Sequence, residues 1–185
     1  MSEAGLVARL RRGDPDAFDA VYEAYRPRIF GFLARMAGRR DLAEDLLQET
    51  FLRLAARCRS LAPDTRPGAW LFTVARNLYI SHCRSSLLDA ERLEGMAREP
   101  ISGGTTPFEQ AAASELGARL ERALAALPAA HREVLLLIAV ERMEHEEAAA
   151  VLELSREALR QRLSRARAGL AEQLARGPAS VRRTG

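Results

Sequence analysis

Apolar residues near the start of the chain recur every three or four positions, at Phe18, Tyr22, Tyr25, Ile29, Phe32 and Met36. That spacing commits the segment to one buried helical face. Gly13, Asp14 and Pro15 read as a helix stop, an N-cap and a proline at the first helical position, where its missing N–H does no harm. Pro27 interrupts the stripe and is expected to kink or split the helix, and Gly38 is the expected C-terminal stop. Asp41 is expected to cap the next helix, in which Leu47, Phe51, Leu54 and Cys58 form an apolar stripe opposite Glu44, Asp45, Gln48 and Glu49. A turn-rich stretch with Pro63 and Pro67 leads into a third helix over residues 69–83, where Leu71, Val74 and Leu78 share one face.

Beyond Ser86 the periodicity weakens, and Pro100, Ser102, Gly103, Gly104, Thr105, Thr106 and Pro107 cluster as a flexible linker that leaves the two halves independently folded. Ala112, Leu116, Leu120, Leu124 and Leu127 then form an amphipathic helix. Pro128 opens another, whose apolar run over residues 134–140 is expected at the centre of a second small core. Two further helical segments, residues 144–152 and 156 to about 174, are separated by Glu153, Leu154 and Ser155, with Ser155 as the N-cap of the second. This is a helix-turn-helix candidate whose second helix would enter the DNA major groove. The fold class is all-α, in two small helical domains, and the abundance of Ala, Leu, Arg and Glu favours it because unbranched side chains lose little rotamer freedom in a helix.

The net charge of +3 does not by itself indicate a nucleic-acid partner, so the distribution of charge carries that question. All 28 basic residues are arginine, which suits phosphate and guanine, although the codon bias of a GC-rich genome is the favoured reading. Residues 141–153 hold five glutamates against Arg142, and residues 156–167 hold five arginines against Glu157. A basic second helix behind an acidic first one fits DNA docking, and i to i+4 pairing within helices fits as well. The strip Glu44, Asp45, Gln48 and Glu49 reads either as a solvated face or as a partner site. Cys58 and Cys83 lie far apart with no CxxC, so neither a disulfide framework nor a zinc site is indicated, and a reduced cytosol is expected. No apolar run approaches the roughly 20 residues of a membrane span, and residues 1–10 lack a signal-peptide core. His82, His131 and His145 lie on different segments without an acid or thiol at catalytic spacing, apart from the adjacent His82 and Cys83, and no glycine-rich phosphate loop occurs. An enzyme, a cofactor and a metal site are not expected.

The runs DLAEDLLQETFLRL (residues 41–54), AWLFTVARNL (69–78), AALPAAHREVLLL (125–137) and RLSRAR (162–167) together resemble the extracytoplasmic-function group of the sigma-70 family. The resemblance extends from about Leu6 to Leu174. It implies a sigma region 2-like domain over residues 1–85, a linker over 86–107, a region 4-like helix-turn-helix domain over 108–177 and a tail over 178–185. By that likeness Glu44, Asp45, Gln48, Glu49 and Leu52 dock on the clamp helices of core RNA polymerase. Arg57, Arg66, Trp70, Arg76 and Asn77 fall in the segment that melts and reads the minus-10 element, although a Trp at helical spacing also fits a core position. Ser155, Arg156, Arg160, Arg162 and Arg165 fall on the helix that reads minus-35, and the linker matches the segment threaded through the polymerase cleft. The implied partners are bacterial RNA polymerase core and promoter DNA, with an anti-sigma factor as a further candidate and no membrane insertion.

Several positions depart from the family pattern. Glu153 stands where the tight turn usually has glycine, Glu144 and His145 replace a serine-aromatic pair, and Ala148 replaces a β-branched apolar residue. Glu157, Ala158, Leu159, Arg160 and Gln161 replace a Gly-Thr-Val-Lys-Ser type run. These departures leave open two alternatives: a sigma-like decoy that sequesters an anti-sigma protein, and a dimeric helix-turn-helix regulator outside the sigma family.

Overall fold

The computed structural model describes residues 3–92 and 115–176, and among them every regular element is helical. The order is α1 (Glu3–Arg11), α2 (Pro15–Ala37), α3 (Arg40–Arg57), a 3₁₀ turn (Cys58–Ser60), α4 (Pro67–Arg92), α5 (Glu115–Ala125), α6 (Ala129–Leu135), a π-helical turn (Leu136–Val140), α7 (His145–Val151) and α8 (Arg156–Ala175). The expected linker of residues 86–107 begins inside α4; residues 93–107, with the proline- and glycine-rich cluster, and Ala112 lie outside the described residues.

Helix α2 starts as its sequence dictates. Asp14 is extended and accepts from the Asp16 N–H at 3.0 Å, Pro15 occupies the first helical position, and Gly38 closes the helix at φ 66°, donating to the Ala34 carbonyl. Pro27 does not split it: α2 is one helix of 23 residues. Its buried stripe also differs from the expected one at the N-terminal end, where Ala17 and Val21 are in the core and the larger Phe18, Tyr22 and Tyr25 are only half-buried. Further along Ile29, Phe32 and Met36 are buried as their spacing predicts.

Asp41 is not the N-cap of α3. Arg39 holds that position without a side-chain cap bond, and Asp41 sits one residue inside the first turn, paired with the Arg39 guanidinium. A carboxylate there still opposes the positive end of the helix dipole, and the Arg39 hydrogen bond holds its carboxyl below the usual range.

The first unit closes around Phe32 and Phe72, whose rings meet edge to face at 5.5 Å, with Leu33, Leu54, Leu71 and Ala75 around them. Thr50 is buried without penalty because its hydroxyl donates to the Leu46 carbonyl at 2.7 Å. The second unit packs α6 against α8, with Val134 and Leu135 of α6, Leu137 of the π-helical turn and Leu159, Leu163 and Ala166 of α8 all buried. The apolar run of residues 134–140 is buried only through Leu137; the π-helical turn rotates Val140 outward, and α5 leaves Leu116 72 % exposed.

The two halves do not stand apart as the linker composition suggests. Helix α4 packs against α7, and α2 packs against α5 and α6. Arg35 pairs with Glu121 at 2.8 Å and Arg28 with Glu141 at 2.8 Å. Arg132 of α6 donates to the carbonyls of Arg35 and Met36 at 3.0 and 3.3 Å, filling orphan acceptors at the C-terminal end of α2.

Candidate partner and nucleic-acid interfaces

The acidic strip lies on the outer face of α3, because Ala43, Leu46, Thr50, Phe51 and Leu54 take the inner one. Glu44, Asp45 and Gln48 are exposed and Glu49 is half-exposed. Arg40 pairs with Glu44 at 2.8 Å and Arg53 with Glu49 at 2.9 Å along the helix, each a solvent-screened contact of small energy. Leu52 is 56 % exposed at the edge of this strip. Beside it, α2 and α3 enclose a groove of about 720 Å³ floored by Phe18, Tyr22, Phe30, Leu47 and Phe51, with Glu44 and Gln48 on its rim. The charged residues lining it are mixed, Glu23 and Glu44 with Arg26 and Arg40, and its apolar floor suits the apolar face of a helical partner. Phe18 and Tyr22 were expected in the core; that the aromatics of α2 line this groove depends on which face of α2 meets α3, which periodicity along one helix does not reveal.

The five candidates around α4 are dispersed. Arg57 is exposed at the end of α3, and Arg66 is exposed one residue before α4. Trp70 is half-buried and packs against the core cluster. Asn77 is exposed, whereas the neighbouring Arg76 is turned into the second unit with only 13 % of its side chain accessible. Its Nε lies 3.0 Å from Glu133 Oε2, and one of its terminal nitrogens lies 3.9 Å from Glu153.

Helices α7 and α8 form the helix-turn-helix. Ser155 is extended, and its hydroxyl accepts from the Ala158 N–H at 3.1 Å, capping α8. The turn is made by Glu153 at φ 56°, a left-handed conformation that non-glycine residues adopt at a cost. On α8, Arg156 pairs with Glu146 of α7 at 2.6 Å and Arg160 with Glu157 at 2.5 Å. Gln161 and Arg160 together hold the Glu157 carboxyl below its usual range. Arg165 is exposed, while Arg162 points inward to Glu133 at 3.2 Å. Arg66, Arg156 and Arg160 line one groove of about 750 Å³ with Glu144, Glu146 and Glu147, so candidates from both units face the same space.

Among the described residues no group of His, Cys, Asp and Glu is placed to hold a metal ion, and no helix is long and apolar enough to cross a membrane. Cys58 and Cys83 are both free thiols.

The described residues thus combine an acidic face on α3, beside an apolar groove, with a helix-turn-helix whose first helix is acidic and whose second is basic. Residues 21–86 match the model of sigma-70 region 2, and residues 117–170 match that of sigma-70 region 4. The chain is 35% identical to the RNA polymerase sigma factor CarQ of Myxococcus xanthus over 86% of this chain and 90% of that protein. It is 28% identical to the ECF RNA polymerase sigma factor SigW of Bacillus subtilis over 91% and 94%. Among solved structures it resembles the sigma factor RpoE in complex with the anti-sigma factor NepR from Bartonella quintana, at TM-score 0.73 and 27% identity, covering 87% of this chain and 98% of that one. CnrH in complex with the cytosolic domain of CnrY is similar at TM-score 0.71 and 26% identity, covering 95% and 99%. The chain belongs to the extracytoplasmic-function group of the sigma-70 family. As a sigma factor it directs promoter-specific initiation by binding core RNA polymerase and promoter DNA.

Proposed function

We propose that the sigma activity is divided along the chain as its sequence lays it out, with no reaction catalysed by the chain itself. The unit of residues 1–85 binds core polymerase through Glu44, Asp45, Gln48, Glu49 and Leu52, and meets the minus-10 element through Arg57, Arg66, Trp70, Arg76 and Asn77. Residues 86–107 connect it to the unit of residues 108–177, which meets minus-35 through Ser155, Arg156, Arg160, Arg162 and Arg165, and residues 178–185 form a tail. The factor works in the cytoplasm, where the polymerase is.

The observation that best supports this division is the character of α3. Glu44, Asp45 and Gln48 are exposed together beside a groove floored by aromatic rings, and among the described residues the only helix support Glu44 and Glu49 draw from this face is the pair of small, screened contacts with Arg40 and Arg53. A basic, partly apolar helical partner gives that arrangement a purpose. An anti-sigma protein is a third partner, supported by the similarity to a sigma factor solved with one.

Run-off transcription with purified core polymerase on a genomic fragment library tests the assignment. Discrete transcripts that require the chain, and that share a minus-10 and minus-35 pair upstream of their starts, are expected. Absence of chain-dependent transcripts, with binding instead to palindromic sites as a dimer, would contradict it.

A further inference from the structure

Glu157 is the one acidic residue beside the five arginines of residues 156–167. It stands in the first turn of α8, where negative charge favours the helix dipole. The dipole needs only the charge, yet both carboxylate oxygens are engaged. Oε2 accepts from Arg160 Nη2 at 2.5 Å and Oε1 from Gln161 Nε2 at 3.2 Å, so one carboxylate holds the side chains three and four residues further along. Glu157, Arg160, Gln161, Ser164 and Arg165 are all exposed and line one shallow groove of about 540 Å³ along α8.

The arginines assigned to minus-35 are not held alike. Arg156 is tied to Glu146 of α7 and Arg162 to Glu133 of α6, whereas Arg160 is held by a carboxylate of its own helix and travels with it as one body. In water this exposed pair contributes little energy. At a base edge its geometry matters more. Arginine reads guanine through two parallel N–H donors to O6 and N7, a contact that depends on the plane of the guanidinium. A carboxylate on one edge fixes that plane before binding and leaves the other donors for the base. Gln161, with one N–H given to Glu157, keeps its Oε1 and second N–H, the acceptor and donor that match adenine. The same carboxylate repels phosphate and so lowers affinity for every sequence; its contribution to a DNA-facing helix lies in discrimination.

We propose that Glu157 is a positioning residue for minus-35 recognition, fixing the Arg160 guanidinium on a guanine and the Gln161 carboxamide beside it, and sharpening base discrimination while lowering overall affinity. The inference rests on the assignment of Arg160 to minus-35.

The test uses holoenzyme assembled with full-length wild type, E157A, E157Q, R160A and E157A/R160A. A labelled promoter duplex from the transcription library is competed with duplexes carrying each of the four bases at each minus-35 position, and thermal denaturation of each chain reports stability. R160A should flatten the preference for guanine at one position. E157A should lower discrimination at that same position by about tenfold, within the range of a lost bidentate contact, while binding the mismatched duplexes at least as tightly as wild type. E157Q, of the same shape without the charge, should fall between, and it carries the test if E157A fails to fold. The double variant should discriminate no less at that position than R160A, because the two residues act as a unit. A glutamate that only supports the helix start would lower the melting temperature and leave the wild-type base profile, which would overturn the proposal. An E157A effect that adds in full to that of R160A would overturn it as well. A wild-type profile in R160A would overturn the assignment of Arg160 to minus-35 and the positioning role together, whereas a flattened profile in R160A beside an unchanged one in E157A would overturn the positioning role alone.

Discussion

The Ser155 hydroxyl accepts a hydrogen bond from the Ala158 N–H at 3.1 Å, so a residue assigned to the minus-35 helix also holds the start of that helix together. The two roles separate by substitution. Ser155→Ala removes the cap and should lower stability by about 1 kcal/mol. Ser155→Asp keeps a capping acceptor but brings negative charge to the DNA-facing end, so stability should return to near wild type while DNA affinity in the holoenzyme falls. Chemical denaturation and holoenzyme binding to a minus-35 duplex read the two effects independently.

Glu153 makes the turn between α7 and α8 at φ 56°, and its side chain reaches Arg76 only at 3.9 Å. Glycine occupies left-handed backbone without the Cβ clash that other residues incur. Glu153→Gly is therefore expected to raise stability by about 1 kcal/mol, the relief of left-handed strain exceeding the loss of a long, exposed ion pair. An unchanged or lowered denaturation midpoint would show that the ion pair or chain entropy dominates.

Asp14 caps α2 and is held below the usual carboxylate range, chiefly by the hydrogen bond from Arg9, whose Nε is 2.7 Å away. A carboxyl depressed in the folded state contributes stability that is present above its unfolded pKa and is lost as pH falls through its folded one. Wild-type stability should thus fall below about pH 4, the range in which an ordinary aspartate takes up its proton. Asp14→Asn keeps a capping oxygen that does not titrate, so its denaturation midpoint should change less between pH 5 and pH 3. An identical acid profile in both proteins would assign the loss to other carboxylates, with Asp41, paired to Arg39, the next to test.

The arginines of α8 are expected to contribute unequally. Arg156 and Arg160 are nearest the N-terminal end that enters the major groove; replacing a base-reading arginine with alanine should cost about 1 to 3 kcal/mol and relax preference at one minus-35 position. Arg165 is exposed further along, and its loss should weaken binding to all sequences and reduce the salt slope by about one. Holoenzyme affinity for minus-35 variants at several salt concentrations distinguishes the patterns, and wild-type behaviour in all three alanine variants would remove α8 from the DNA interface.

Much of the fold was legible because local chemistry and tertiary packing agree. Asp14, Pro15 and Gly38 bound α2, and Ser155 opens α8, through contacts within a few residues of themselves. Expectations failed where residue type alone does not fix the local outcome, or where the deciding partner lies far away in sequence. Pro27 is accommodated inside a continuous α2, and Phe18 and Tyr22 are only half-buried, packed against the core while lining the groove beside α3. Asp41 gives the cap position to Arg39 although its residue type favours a cap. Arg76 and Asn77 are adjacent in sequence, and only the second unit explains why one is engaged and the other exposed. The inter-unit contacts of Arg132 and Glu133 are not legible in the sequence, because a charged pair after a proline-opened helix carries no local signal of them. The one available hint was the concentration of glutamates ahead of α8, which needed a basic surface elsewhere in the chain.

The role of α3 is tested most directly by titrating core polymerase with wild type and with D45R/E49R, while circular dichroism monitors helicity. Both positions are on the outer face of the helix, away from Leu46, Phe51 and Leu54, so the core packing should be kept, with E49R giving up only the small Glu49–Arg53 pair. Opposing like charges across an interface costs several kcal/mol, and core affinity is expected to fall by a factor of about ten or more, with promoter-specific transcription falling in parallel. A double variant that binds core as tightly as wild type would contradict the assignment of this face to the polymerase.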